Sequence, residues 1–110
     1  MKRICFVLML LLCEHANAGG GSGFRNISSI KIEGSSFIMI HATSAWSNPD
    51  GCSKSDQAMV LMSDNARQEK LSLAISAYMS GKKIGFWLSG CSQTPWGYSV
   101  PNVYTMTVSD

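Results

Sequence analysis

The chain has 110 residues, of which 45% are hydrophobic and 15% charged, with a formal net charge of +2. That is enough for one compact domain and too little for two, and the apolar content excludes a disordered acidic or basic tail. Nine Lys+Arg against seven Asp+Glu make no basic field of the kind nucleic-acid binders carry, so nucleic acid is set aside as a partner.

The first eighteen residues read as an export signal. Met1-Lys2-Arg3 is a short positive start, Ile4 to Cys13 is an unbroken apolar run, and Ala16-Asn17-Ala18 is a small-x-small site for cleavage after Ala18. The apolar run is shorter than the roughly 20 residues a membrane span requires, and Glu14-His15 ends it, so no membrane span is expected. Lipid attachment at Cys13 is disfavoured because Leu12, not a small residue, precedes it. Cys5 and Cys13 leave with the signal, and Cys52 and Cys91 arrive where thiols oxidise, in the periplasm or outside the cell. One disulfide is the expectation, closing a loop of about forty residues and adding about 3–4 kcal/mol in the chain-entropy model. One remaining histidine, His41, with two cysteines matches no zinc pattern, and neither a metal nor a cofactor is expected.

Residues 19–24 begin Gly19-Gly20-Gly21-Ser22-Gly23 and read as a flexible leader, with the folded domain over residues 25–110. Ile27 to Glu33 alternates as a half-buried strand, Gly34-Ser35 turns, and Phe37 to Ala42 follows as an apolar strand covered on both faces. Thr43 to Ser55 is a long loop around Asn48-Pro49-Asp50-Gly51. Gln57 to Met62 is a third strand. Asn65 as N-cap with Gln68 at N3 opens a helix whose apolar stripe is Leu71, Ala74, Ile75 and Tyr78, and Gly81 ends it. Lys82 to Ser89 is a fourth strand, Gly90 to Pro101 a second long loop, and Val103 to Val108 a fifth strand.

The order β-β-β-α-β-β is mainly β with one helix, and it is that of the OB-fold, a five-stranded Greek-key barrel. An α+β sandwich with the same element order is the alternative. Catalysis is not expected: His41 lies inside an apolar strand, and the carboxylates are scattered over turns, caps and the terminus. The two long loops, clamped by a Cys52–Cys91 bond, hold Trp46, Trp96 and Tyr98 among short polar side chains, a mixture suited to a sugar's apolar face and hydroxyls. The competing expectation is that Trp46 and Trp96 merely pack the loops onto the barrel end. Met39, Met59, Leu61 and Trp87 fall on outer faces of the strands, to be covered by the helix or by another copy of the chain. Asn26-Ile27-Ser28 matches an N-glycosylation triplet.

The segment Tyr78-Met79-Ser80-Gly81-Lys82-Lys83-Ile84-Gly85-Phe86-Trp87, with a cysteine in each half of a short exported chain, resembles small exported bacterial OB-fold proteins, most nearly the B subunits of AB5 toxins of the subtilase-cytotoxin type. The resemblance implies a pentamer that binds cell-surface glycans. No sugar-contacting residue is carried over from it. A monomeric periplasmic or secreted accessory or inhibitor protein, with a protein surface as partner, is the alternative role.

Overall fold

A computed structural model describes residues 19–110, so the expected export signal lies outside the described residues. The elements are β1 (Gly20–Glu33), β2 (Phe37–Ala42), β3 (Gln57–Leu61), α1 (Arg67–Ser80), β4 (Lys83–Gln93) and β5 (Ser99–Ser109). The five strands close into a ring in the order β1-β2-β3-β5-β4, with β4 returning to β1. All pairings are antiparallel except β3 with β5.

β1 makes the closure possible because it serves two neighbours. Ile27 to Glu33 pairs with β2, and Gly20 to Asn26 pairs with β4. The glycine-rich leader is therefore strand and not a tether, which corrects the expectation for residues 19–24. Between Gly21 and Phe24 the strand bulges, Gly23 takes a left-handed φ of 74°, and the fully buried Ser22 turns inward. Its Oγ accepts a hydrogen bond from the Phe86 N–H at 2.7 Å, replacing a ladder bond. Gly19 has φ 77°, and a Cβ there would stand 2.0 Å from the Leu88 carbonyl oxygen. The same residues that read as floppy in sequence are what the bulge and this close approach require.

Inside the ring, alternate residues of the strands meet in one core that includes Ile27, Ile38, Ile40, Ala58, Val60, Ile84, Phe86, Leu88 and Val103. α1 crosses the ring on Ala74 and Ala77, both fully buried, whose small side chains let the helix approach the strands. Leu71 and Ala74 of the expected stripe face this core, whereas Ile75 and Tyr78 are 45% and 46% exposed, so Ala77 takes their place. The expected cap is not formed, since Ala66 stands at the N-cap and no side chain makes the capping bond. Asp64, not Asn65, accepts the Ala66 N–H at 2.8 Å and pairs with Lys70, which reaches on to the Val103 carbonyl at 3.3 Å. Burial opposes ionisation of Asp64, but the Lys70 hydrogen bond, the Ala66 N–H and the nearby charges of Lys70 and Arg67 outweigh it and hold its carboxyl below the ordinary value. Gly81 ends the helix in the left-handed region, as expected.

β4 and β5 run well beyond their expected limits. Gly90, at φ 76°, bends β4, and the pairing resumes as Cys91↔Pro101, Ser92↔Val100 and Gln93↔Ser99. Of the expected loop from Gly90 to Pro101, residues 94–98 alone connect the strands. This distal hairpin folds across the outside of β2 and β3. There Val100 and Tyr98 cover Phe37, Met39 and Met59 in a second apolar cluster.

Candidate functional site

The expected site divides between the inside and the outside of the ring. Trp46 is only 3% exposed. Its indole N–H donates to the Ile84 carbonyl at 3.3 Å and its ring lies 4.8 Å from that of Phe86, so it plugs the barrel and is withdrawn from the candidate ligand residues. Trp96 is 46% exposed at the tip of the distal hairpin, with Tyr98 half-buried beside it. Their rings stack at 6.0 Å with 27° between planes, and Phe37 meets Trp96 edge-on at 6.0 Å.

The turn that carries these rings is held by one side chain. The Thr94 hydroxyl donates to the Tyr98 carbonyl at 2.9 Å and accepts the Trp96 N–H at 3.3 Å, and Gly97 supplies the φ of 90°. Beneath, the Tyr98 hydroxyl donates to Gln57 Oε1 at 2.9 Å, fixing the ring to β3.

Two lysines that sequence reasoning passed over complete the cluster. Lys31 Nζ lies 4.1 Å from the centre of the Trp96 ring and Lys54 Nζ 4.5 Å from that of Tyr98. Lys31 projects outward from β1 and pairs at 3.4 Å with Glu33, two positions along. The period-2 pattern of β1 put Lys31 on the outer face, but only the fold-back of the hairpin brings Trp96 to it. Lys54 belongs to the first long loop, which is stitched to the hairpin by Lys54 N–H to the Ser99 carbonyl at 3.0 Å and by a 3.0 Å bond between the Ser53 and Ser99 hydroxyls.

The expected disulfide is formed. Cys52 and Cys91 are bonded with their Cα atoms 5.6 Å apart. Asn48 brackets Cys52 through bonds of 2.7 and 2.9 Å, and Asp50 accepts the Gly90 N–H at 2.7 Å, so the clamp joins the first loop to the bend of β4. The bond fits a protein that matures outside the reducing cytoplasm. Among the described residues no helix is long and apolar enough to cross a membrane.

His41 lies on the same outer face, between Ser29 of β1 and Gln57 of β3 in the ladder. Burial lowers its pKa from 6.5; Asp56 pulls it back up, and Lys31 and Lys54 push it further down. Of the four residues expected to meet another copy, Met39 and Met59 are 0% and 1% exposed, covered by this chain's own hairpin, which corrects that expectation. Leu61 and Trp87 remain 38% and 47% exposed.

No family model, curated protein or solved structure matches the chain. Two aromatic rings, Trp96 and Tyr98, each with an ammonium group over it, stand together at one turn. Among the described residues no three His, Cys, Asp or Glu side chains converge to hold a metal ion.

Proposed function

We propose that this protein is an exported, non-catalytic carbohydrate-binding module built on an OB-type barrel, with Trp96, Tyr98, Lys31 and Lys54 as its binding surface. The ring order, the parallel β3–β5 contact and the helix between β3 and β4 support the barrel type. OB barrels take oligosaccharides and oligonucleotides on the face of their second and third strands, between the β1–β2 and β4–β5 connections. In favour of such a site, Trp96 and Tyr98 come from the β4–β5 connection, and Phe37 begins β2 just after the β1–β2 turn.

The observation that carries the reading is the pair of lysines seated over the rings of exposed Trp96 and half-buried Tyr98. They make sugars with a carboxylate or sulfate the favoured class, since such a group pairs with the ammonium while the ring's C–H face meets indole or phenol. On a glycan array the protein is expected to bind acidic glycans. Trp96→Ala weakens that binding tenfold or more, as the loss of about 1.4 kcal/mol requires, and Lys31→Ala with Lys54→Ala removes the preference for acidic over neutral glycans. An array without hits, or hits that Trp96→Ala leaves unchanged, rejects the reading.

Assembly is the second part of the proposal, because several copies on one cell surface multiply weak contacts. Leu61 and Trp87 stay exposed, and Ile32, Met79 and Tyr104 add further exposed apolar surface on which copies could meet. Light scattering at tens of micromolar that returns only monomer removes the assembly and leaves a monomeric binding protein.

A further inference from the structure

A second pair of exposed rings stands on the wall formed by β1, β4 and β5, away from the hairpin tip. Across the β1–β4 ladder Phe24 lies opposite Gly85 and Gly21 opposite Trp87; across β4–β5, Gly85 lies opposite Thr107 and Trp87 opposite Thr105. Register partners share a face of the sheet, so Phe24, Trp87, Thr105 and Thr107 all project from the same side. They line an open cleft of about 250 Å³.

The cleft is built, not incidental. The bulge between Gly21 and Phe24 holds Ser22 inward on the Phe86 N–H, which turns Phe24 outward over the strand pair. Bulges commonly serve to re-aim a side chain. Phe24 then lies where a side chain at position 85 would be: a Cβ on Gly85 would stand 2.9 Å from two Phe24 ring atoms and 2.8 Å from the Gly23 carbonyl oxygen. Covering Gly85 does not bury the ring. Phe24 stays 41% exposed and Trp87 47% exposed.

The lining also sets the chemistry. No charged side chain lines the cleft; Arg25, next to Phe24 in the chain, carries its charge beside Gly23 at the margin and donates to the carbonyls of Phe24 and Ala45 at 2.8 and 3.0 Å. The polar groups present are the exposed hydroxyls of Thr105 and Thr107 and the backbone bared by glycine. Aromatic faces and neutral hydroxyls, with no charged side chain in the lining, match a ligand with an apolar C–H face rimmed by uncharged hydroxyl groups. We infer that the Phe24–Trp87 cleft is a second carbohydrate site, one that takes a neutral hexopyranose. It differs in charge and in place from the Trp96 cluster, and it stands whether or not that cluster binds acidic sugars.

The test is titration of the protein with methyl hexopyranosides of the gluco, galacto and manno series and with neutral oligosaccharides, followed by saturation transfer to the sugar and by amide and indole shifts. The expected result is shifts confined to Phe24, the Trp87 indole N–H, Thr105 and Thr107, with affinity at least tenfold lower in Trp87→Ala and unchanged in Trp96→Ala. Thr107→Val, which keeps the side-chain shape and the strand propensity, weakens binding several-fold without altering the circular dichroism. Three results overturn the inference: no neutral sugar moves the Trp87 signal; the binding disappears in Trp96→Ala instead; or light scattering finds an oligomer that Trp87→Ala separates into monomers, which makes this face an interface between copies.

Discussion

Trp46 and Trp96 sit in stretches of similar polar composition, yet one fills the barrel and the other stands on its surface. The difference arises from what surrounds each backbone. The Trp46 backbone N–H donates to the Ser55 carbonyl at 2.8 Å, which closes the first loop, and its indole points inward to Ile84 and Phe86, whereas Trp96 rides on a turn that Thr94 braces and that lies on the outside of the wall against Phe37. Neither partner is near its tryptophan in a way composition reveals, so both looked equally available in the sequence. His41 was legible as a strand residue on an apolar run, and its place among Lys31, Lys54 and Asp56 was not, because those three come from three other positions along the chain. Its lowered pKa has a definite sign. The unfolded chain takes up the proton near pH 6.5 while folded His41 stays neutral, so stability is undiminished above that pH, falls as the pH drops through the interval down to the folded pKa, and levels off below it. An NMR titration is expected to give His41 a pKa below 6.5, and His41→Gln is expected to flatten the dependence of the urea midpoint on pH in that interval.

At the scale of elements, the number, kind and order of strands and helix followed from periodicity and turn residues, while their lengths did not. Gly90 and Pro101 read as loop punctuation, but here Gly90 bends a continuing strand and Pro101 pairs at the register shift beside it, a place where the missing N–H does no harm. The consequence is the distal hairpin, which buries Met39 and Met59 and presents Trp96. The Cys52–Cys91 bond anchors the base of that hairpin to the first loop, and with it the Lys54 backbone bond to Ser99. Replacing both cysteines by serine is expected to lower stability by about 3 kcal/mol, a fall in Tm of more than about 10 °C for a domain of this size, read by thermal denaturation of both proteins without reductant. The glycan binding proposed for the Trp96 cluster is expected to weaken in the same variant, because the loop that carries Lys54 is no longer held to the hairpin.

For the whole molecule the decisive contact is the one between the first residues of β1 and β4, which brings together parts of the chain far apart in sequence. A run of glycine and serine carries no hydrophobic period, so nothing in its composition distinguished a tether from a strand whose role is purely backbone pairing. Deleting residues 19–23 separates the two. As a strand they contribute ladder bonds and the Ser22 partner of Phe86, and their loss is expected to cost about 2–4 kcal/mol at roughly 1 kcal/mol per hydrogen bond, seen as a lower urea midpoint; a tether would leave the midpoint where it was. The closed ring has one more consequence. In the ring every strand has a neighbour on either side, β1 meeting β2 with Ile27–Glu33 and β4 with Gly20–Asn26, so none of the five is an edge strand that offers its whole length to another chain. Strands as apolar as Phe37 to Ala42 are thereby kept from the edge-to-edge pairing that open sheets discourage with lysines and prolines along their margins.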